Sequence, residues 1–180
     1  MTWNRHLQPD LVLGKPILYL TPEVLQHYHL KGLILDVDDT LVPIKSAQAS
    51  SELQEWIKNI RSVAKLWLVS NNINQPRIRG IAEALDLPYI MGAGKPSRRK
   101  LRQAAQGMDL PPQQIAMVGD RLFTDVLAGN RLGLFTILVE PMVNPGAAAS
   151  SSPLRSLEVM ISQALGASLT PKEQIFTNRE

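Results

Sequence analysis

Two short pieces hold five of the chain's eight aspartates: Asp36, Asp38 and Asp39 in the first, Asp120 and Asp125 in the second. Each piece follows an apolar run, and acids kept for solubility do not usually group in this way. Two more reactive residues stand in similar places, Ser70 after Lys65-Leu66-Trp67-Leu68-Val69 and Lys95 just past Tyr89-Ile90-Met91. The set suits phosphoryl transfer. A phosphate ester needs a nucleophile, a proton donor for the departing oxygen, and positive charge over the equatorial oxygens. Asp36 offers a carboxylate nucleophile that would form an aspartyl-phosphate. Asp38 offers a proton to the leaving group and then a base for water. Mg2+ is a hard ion that prefers oxygen ligands. Asp36, the main-chain carbonyl of Asp38, and Asp120 would supply them, with Asp125 holding a metal-bound water or orienting Asp120. Ser70 would donate to the phosphate, and Lys95 would neutralise it and steady Asp36.

For these residues to meet, the apolar runs must lie side by side. Gly32 to Val37, Lys65 to Val69, Tyr89 to Met91, Ile115 to Val118 and Phe135 to Val139 read as buried strands. Between them the apolar spacing is helical. Leu53, Trp56, Ile57 and Ile60 mark one face of a helix that Ser46 is placed to cap. Ile78, Ile81, Ala82 and Leu85 mark a second, from about Gln75 to Leu85. Leu101, Ala104 and Ala105 mark a third that Pro96 would open at its first position, and a fourth runs from about Thr124 to Leu132. This alternation predicts an α/β fold, a single domain with a parallel sheet of about five strands and helices on both faces. In such a sheet ligands bind beyond the carboxyl ends of the strands, where all the reactive residues fall.

Residues 1–30 form an N-terminal arm whose most apolar stretch, Leu11 to Leu20, is interrupted by Gly14, Lys15 and Pro16. The domain is expected to end near residue 143. A small-residue linker over 144–153 follows, then a C-terminal helix with Leu154, Leu157, Met160, Ile161 and Leu165 on one face, and a frayed tail to 180. That helix is expected to dock on the domain or to lie at a membrane surface.

Composition narrows the chemistry. The 180 residues fit one domain with a sizeable core. The absence of cysteine removes disulfides, Cys-ligated zinc, iron–sulfur clusters and thiol nucleophiles, and fits a reducing compartment. No apolar run reaches the roughly 18–20 residues of a membrane span, and Met1 to Asp10 lacks the order of a signal peptide. A cytoplasmic location is therefore expected. The net charge of +3 is unevenly spread. Arg77, Arg79, Lys95, Arg98, Arg99, Lys100 and Arg102 are opposed only by Glu83 and Asp86, while the remainder of the chain is net acidic. That imbalance points to an anionic partner or substrate beside Lys95, against the plainer reading of a solvated helix face.

Asp36-Val37-Asp38-Asp39-Thr40-Leu41, Ser70, Lys95-Pro96 and Gly119-Asp120-Arg121-Leu122-Phe123-Thr124-Asp125, in this order, resemble the motifs of the haloacid dehalogenase (HAD) superfamily. The resemblance runs from about Lys31 to Glu140. It implies Asp36 as nucleophile and Asp38 as acid/base, with Ser70, Asn71 and Lys95 as phosphate binders. It also implies Asp36, Asp38, Asp120 and Asp125 on the Mg2+ side. Pro9-Asp10-Leu11, Leu33 to Pro43, Ser70-Asn71-Asn72 and Gly119 to Asn130 are similar, more closely, to YqeG-type (IIIA) HAD phosphatases. The related phosphatidylglycerophosphate (PGP) phosphatases of mitochondria and plastids share this likeness. Those relatives usually carry Asn where this chain has Asp39, an added carboxylate able to shift the pKa values of Asp36 and Asp38.

Spacing bears on the substrate. The 28 residues between Leu41 and Ser70, and the 24 between Ser70 and Lys95, are each filled by one helix and one strand. Neither gap holds the folded cap with which many HAD phosphatases enclose small substrates. An open site suits a large or surface-presented phosphate, and Arg77, Arg98, Arg99 and Lys100 are expected to meet an anionic lipid headgroup at its mouth. The expectation is a capless, Mg2+-dependent PGP phosphatase, peripheral on the membrane, with sugar, nucleotide or phosphoprotein phosphates as alternative substrates. A Walker A loop fails because Gly94-Lys95 is followed by Pro96, with Tyr89 where the first Gly should be. A dinucleotide site fails because the first strand ends in Asp36-Val37-Asp38 without a glycine-rich turn. A response-regulator receiver would need an acceptor aspartate after Tyr89-Ile90-Met91, where Gly92 stands. A non-catalytic scaffold binding RNA through the basic run is the remaining alternative. Against it stand the lack of interleaved aromatics and the filled catalytic positions.

Overall fold

The computed structural model describes residues 4–142, Met160 and residues 168–171. Its centre is a six-stranded parallel sheet in the order β1-β6-β5-β2-β3-β4. The strands are β1 (Leu11–Pro16), β2 (Gly32–Leu35), β3 (Lys65–Val69), β4 (Tyr89–Ile90), β5 (Ile115–Gly119) and β6 (Phe135–Glu140). The helices are α1 (Asn4–Leu7), α2 (Pro22–His27), α3 (Ser51–Arg61), α4 (Gln75–Leu85), α5 (Arg99–Met108) and α6 (Leu127–Leu132).

Strand periodicity sorts the core into two layers, because alternate side chains leave opposite faces of the sheet. Leu33, Leu35, Leu66, Leu68, Ala116 and Val118 share one cluster with Val24 of α2, Leu53, Trp56, Ile57 and Ile60 of α3, and Ile78, Ile81 and Leu85 of α4. Ile34, Val69, Ile115 and Met117 face the other way, onto Leu101, Ala104 and Met108 of α5 and Ala128 of α6. The sheet is thus covered on both sides, as parallel sheets require. Only α3 lies between β2 and β3, and only α4 between β3 and β4. Among the described residues no cap stands over the carboxyl edge.

The arm contributes a sixth strand that the sequence pattern hid. β1 is an edge strand paired with β6, Leu11 opposite Ile137 and Val12 opposite Leu138. Gly14 takes φ +67° and Pro16 ends the strand. An edge tolerates a bend and a missing N–H that a central strand would not. Asp10 secures the arm: its carboxylate accepts from the Thr136 N–H at 2.8 Å and the Thr136 hydroxyl at 3.0 Å. The Asn130 amide donates to the carbonyls of His6 and Gln8, both at 2.9 Å.

Three boundaries also differ from expectation. Ser50, not Ser46, caps α3, accepting from the Leu53 N–H at 3.1 Å. Pro96 does not open α5, which starts at Arg99. The helix expected from Thr124 begins instead as a wide π-type turn over Leu122–Val126 and becomes α-helical at Leu127. The expected linker over 144–153 and, Met160 apart, the expected C-terminal helix lie outside the described residues. Downstream, Ser168 exchanges two main-chain hydrogen bonds with the Gln8 side chain, at 2.8 and 2.7 Å. Leu169 packs on Leu122, Val126 and Leu138. Among the described residues no helix is long and apolar enough to cross a membrane.

Candidate active site

β2 lies between β5 and β3, with Leu35 opposite both Val118 and Leu68. The next residue, Asp36, therefore emerges at the middle of the carboxyl edge, its N–H donating to the Val118 carbonyl at 3.0 Å. Neighbouring strands deliver Ser70, Lys95 and Asp120 to the same edge. Asp36, Ser70, Lys95, Asp120 and Asp125 are all buried although polar. Burial of this many charges in one place costs too much unless they answer one another.

Lys95 is the hub. Its ammonium lies 2.5 Å from Asp36 Oδ1 and 2.7 Å from Asp125 Oδ1, and donates to the Val69 carbonyl at 3.1 Å. Burial disfavours its charge, yet Asp125 and Asp36 together outweigh that and hold the ammonium above the ordinary lysine range. Asp36 is pushed up to about 7, chiefly by burial, against the pull of Lys95 and with Asp125 and then Asp120 adding repulsion.

The three buried aspartates place carboxylate oxygens within 4.8 Å of one another. Asp125 Oδ2 accepts from the Arg121 N–H at 3.3 Å, but Oδ1, though close to Lys95, receives no well-directed hydrogen bond. Three buried carboxylates so close together form a set of hard oxygen donors of the kind a divalent cation prefers. The donor set fits such an ion: Asp36, Asp120 and Asp125 would hold it. The Asp38 side chain, grouped with them in the sequence, does not join this cluster.

Asp38 instead faces donors. Arg77 Nη1 lies 2.6 Å from its Oδ1, the Ser70 hydroxyl donates to Oδ2 at 3.1 Å, and Asn72 Nδ2 donates to Oδ1 at 3.4 Å. Arg77 was expected as an exposed contact for an anionic surface. Its side chain is only 10% exposed. Nε also donates to the Ser46 carbonyl at 2.8 Å and Nη2 to Pro43 at 3.3 Å. Arg98 and Arg99 are exposed, and Lys100 is half-buried with its ammonium 3.4 Å from the Met91 carbonyl.

Asn71, expected to bind phosphate, has its side-chain amide committed elsewhere. It donates to the Lys95 carbonyl at 3.1 Å and accepts from the Lys95 N–H at 2.7 Å, fixing the main chain that carries the lysine. Asp39 takes φ +61°, a left-handed conformation that Asn and Asp tolerate better than other side chains. Its carboxylate turns away to accept from the Ile44 N–H at 2.8 Å, so the added charge does not enter the site.

Two residues escaped sequence reasoning. Thr40 is fully buried. Its hydroxyl accepts from the Asp120 N–H at 3.1 Å and reaches Asp120 Oδ1 at 3.2 Å or Asp36 Oδ2 at 3.4 Å. A single proton serves one of the two at a time, so Thr40 links the two carboxylates. The signal was its place four residues after Asp36. Gly119 is the other: a Cβ there would lie 2.3 Å from Asp125 Oδ2, so only glycine leaves the carboxylate its place.

A HAD-hydrolase-like family model (Hydrolase_like) matches residues 92–155. The chain is 39% identical over 131 residues to the probable phosphatase YqeG of Bacillus subtilis, covering 72% of this chain and 76% of that protein. It is 29% identical over 152 residues to the chloroplastic phosphatidylglycerophosphate phosphatase 1 of Chlamydomonas reinhardtii, covering 79% of this chain but only 56% of the relative. The fold is also found in a predicted HAD-like family hydrolase from Porphyromonas gingivalis. That likeness has a TM-score of 0.50 at 12% identity and covers 78% of this chain and all of the other. With the parallel sheet and its aspartate edge, these likenesses place the chain in the YqeG family of HAD phosphatases.

Proposed function

We propose that the protein hydrolyses a phosphate monoester through an aspartyl-phosphate on Asp36, with Mg2+ as its divalent cation and PGP as its substrate. The observation that carries the mechanism is a carboxylate at the end of the central strand β2, buried against Lys95 and with an oxygen within 4.8 Å of carboxylate oxygens of Asp120 and Asp125. Bound Mg2+ would polarise the phosphoryl oxygens and offset their charge.

Asp36 supplies the oxygen that forms the new bond to phosphorus as the ester P–O bond breaks. Asp38 gives the departing alkoxide its proton. In the second half Asp38 takes a proton from water, whose oxygen attacks the same phosphorus, returning the Asp36 carboxylate and releasing inorganic phosphate. Lys95 holds Asp36 in place and balances charge throughout. Ser70, bonded to Asp38 in this structure, would position it and donate to the phosphate as the carboxyl turns. Asn71 would contribute by fixing the Lys95 loop.

PGP is supported by the likeness to the algal phosphatase, by the uncapped edge and by the exposed Arg98 and Arg99 beside it. The test is turnover of PGP in detergent micelles against a panel of sugar, nucleotide and peptide phosphates, with Mg2+. PGP is expected to lead by at least about tenfold in kcat/KM, and a better soluble substrate would replace it. Asp36→Asn should lower turnover by about a thousandfold or more while the circular dichroism spectrum is kept. Normal hydrolysis by that variant would sink the aspartyl-phosphate route.

A further inference from the structure

Among the described residues, four large hydrophobic side chains are exposed: Tyr19, Ile44, Ile73 and Met160. Two of them, Ile44 at 55% and Ile73 at 81%, stand on the loops that carry the site. Ile44 closes the loop after Asp36 through its bond to Asp39. Ile73 lies between Asn72, which touches Asp38, and Asn74, whose side chain caps α4. Arg77 ties the two loops together by holding the carbonyls of Pro43 and Ser46. The loop that carries Lys95 joins them, with the N–H groups of Gly92 and Ala93 donating to the carbonyls of Asn72 and Ser70, both at 2.9 Å. These isoleucines are therefore held outward on a framework fixed by hydrogen bonds.

The same loop leads into a cationic cleft of about 640 Å3 whose lining, among the described residues, includes Arg98, Arg99, Arg102 and Arg131 and no carboxylate. Among the described residues, Arg98 and Arg131 donate to main-chain carbonyls, those of Arg131 and Pro96. α5 opens beside it with no side-chain cap and no acid in its first turn, so the positive end of the helix adds to the guanidinium charges. Like charges gathered this closely repel one another until an anion answers them. A soluble phosphate would use the arginines and leave the isoleucines wasted in water. RNA would call for stacking aromatics, which the described residues of the rim lack. Exposed aliphatic side chains beside a cationic cleft suit an anionic bilayer surface, where the first enter the interface and the second meet headgroups.

We propose that this rim is a membrane-docking surface: Ile44 and Ile73 enter the interfacial layer of an anionic bilayer while Arg98, Arg99, Arg102 and Arg131 meet its phosphates. The inference rests on the reading of the substrate as a lipid and adds the surface that brings the site to it.

The experiment is co-sedimentation of the full chain with sucrose-loaded vesicles, without substrate. One set is phosphatidylcholine alone and the other contains about 30% phosphatidylglycerol. The protein is expected to bind the anionic set at least about tenfold more tightly, and less as salt rises. Ile44→Glu with Ile73→Glu, and separately Arg98→Glu with Arg99→Glu, should each weaken binding by roughly tenfold or more, with unchanged thermal midpoints. Lys58→Glu, the same charge change as one arginine reversal but on the exposed face of α3, should stay within about twofold. Absence of vesicle binding, equal binding to neutral vesicles, or full binding by the isoleucine pair would overturn the surface. So would RNA displacing the protein from vesicles while the isoleucine pair binds RNA as the parent does. Hydrolysis of micellar PGP without vesicle binding would remove this surface and keep the substrate. Vesicle binding without PGP hydrolysis would do the reverse.

Discussion

Arg77 sits in the first turn of α4, where Asn74 accepts its N–H at 3.2 Å, and its guanidinium reaches back to Asp38 and to two carbonyls of the loop between β2 and α3. A planar fork presents its donors from three separate nitrogens and so spans acceptors on two loops, whereas a lysine offers all of its donors from one atom. Arg77 is thus a positioning residue for the proposed acid. Arg77→Met is expected to lower kcat on a soluble phosphate ester by about tenfold to a hundredfold with little change in KM. Arg77→Lys should restore part of the loss. A change confined to KM would show that the guanidinium binds substrate instead. The charge of Arg77 was legible in the sequence, but its partner was not, because Asp38 lies 39 residues away and only the pairing of β2 with β3 brings them together. The same limit hid the roles of Thr40 and Asn71. Asp36, Lys95, Asp120 and Asp125 were legible because each follows an apolar run of fixed type.

At the level of elements, the end of β5 is the tightest joint in the site. Gly119 is followed by Asp120 and by the wide turn that folds Asp125 back over it, and a Cβ on residue 119 would overlap the Asp125 carboxyl. Asp125 is 1% exposed and has little room to yield. Gly119→Ala is therefore expected to displace it from Lys95. Turnover should fall by about a hundredfold, the Mg2+ concentration for half-maximal activity should rise, and stability should drop by about 1–3 kcal/mol. Unchanged cation dependence would show that Asp125 is held by something else. Sequence periodicity located β2 through β6 because buried parallel strands read as short apolar runs. It missed β1, because an edge strand is half-exposed and admits Gly14 and Pro16. It misplaced the starts of α3 and α5, where several residues in a row could serve as caps and only packing chooses among them.

For the molecule as a whole, the buried charges couple stability to pH. Asp36 titrates near 7 in the folded protein and near about 4 when unfolded. Between those values the folded state keeps a proton that the unfolded chain has lost. With divalent cations chelated, this carboxyl's contribution to stability therefore falls as pH rises from about 4 to about 7, and stays level above. Urea unfolding at pH 5 and pH 8 in chelator should show Asp36→Asn more stable than the parent at pH 8, by up to a few kcal/mol, and the gap narrowing at pH 5. Added Mg2+ should stabilise the parent more than the variant, because it binds only the folded carboxylate set. A gap that does not change with pH would mean that Asp36 is not the titrating group.

The pairing of β1 with β6 joins segments more than a hundred residues apart, Leu11 with Ile137. Contacts so distant in sequence must wait for the intervening chain, and they slow folding compared with local ones. On the ribosome the arm has no strand to lie against until β6 has emerged. By then β2, β3 and β5 are available to bring Asp36, Lys95 and Asp120 together. The edge that closes last is the one most distant from β4, so an incomplete chain carries the reactive aspartates on a sheet still open to pairing with a neighbour. In the finished protein the arm covers that side of β6, and Asp10 and Asn130 act as the fasteners that keep a newly made enzyme from adding a stranger's strand to its own sheet.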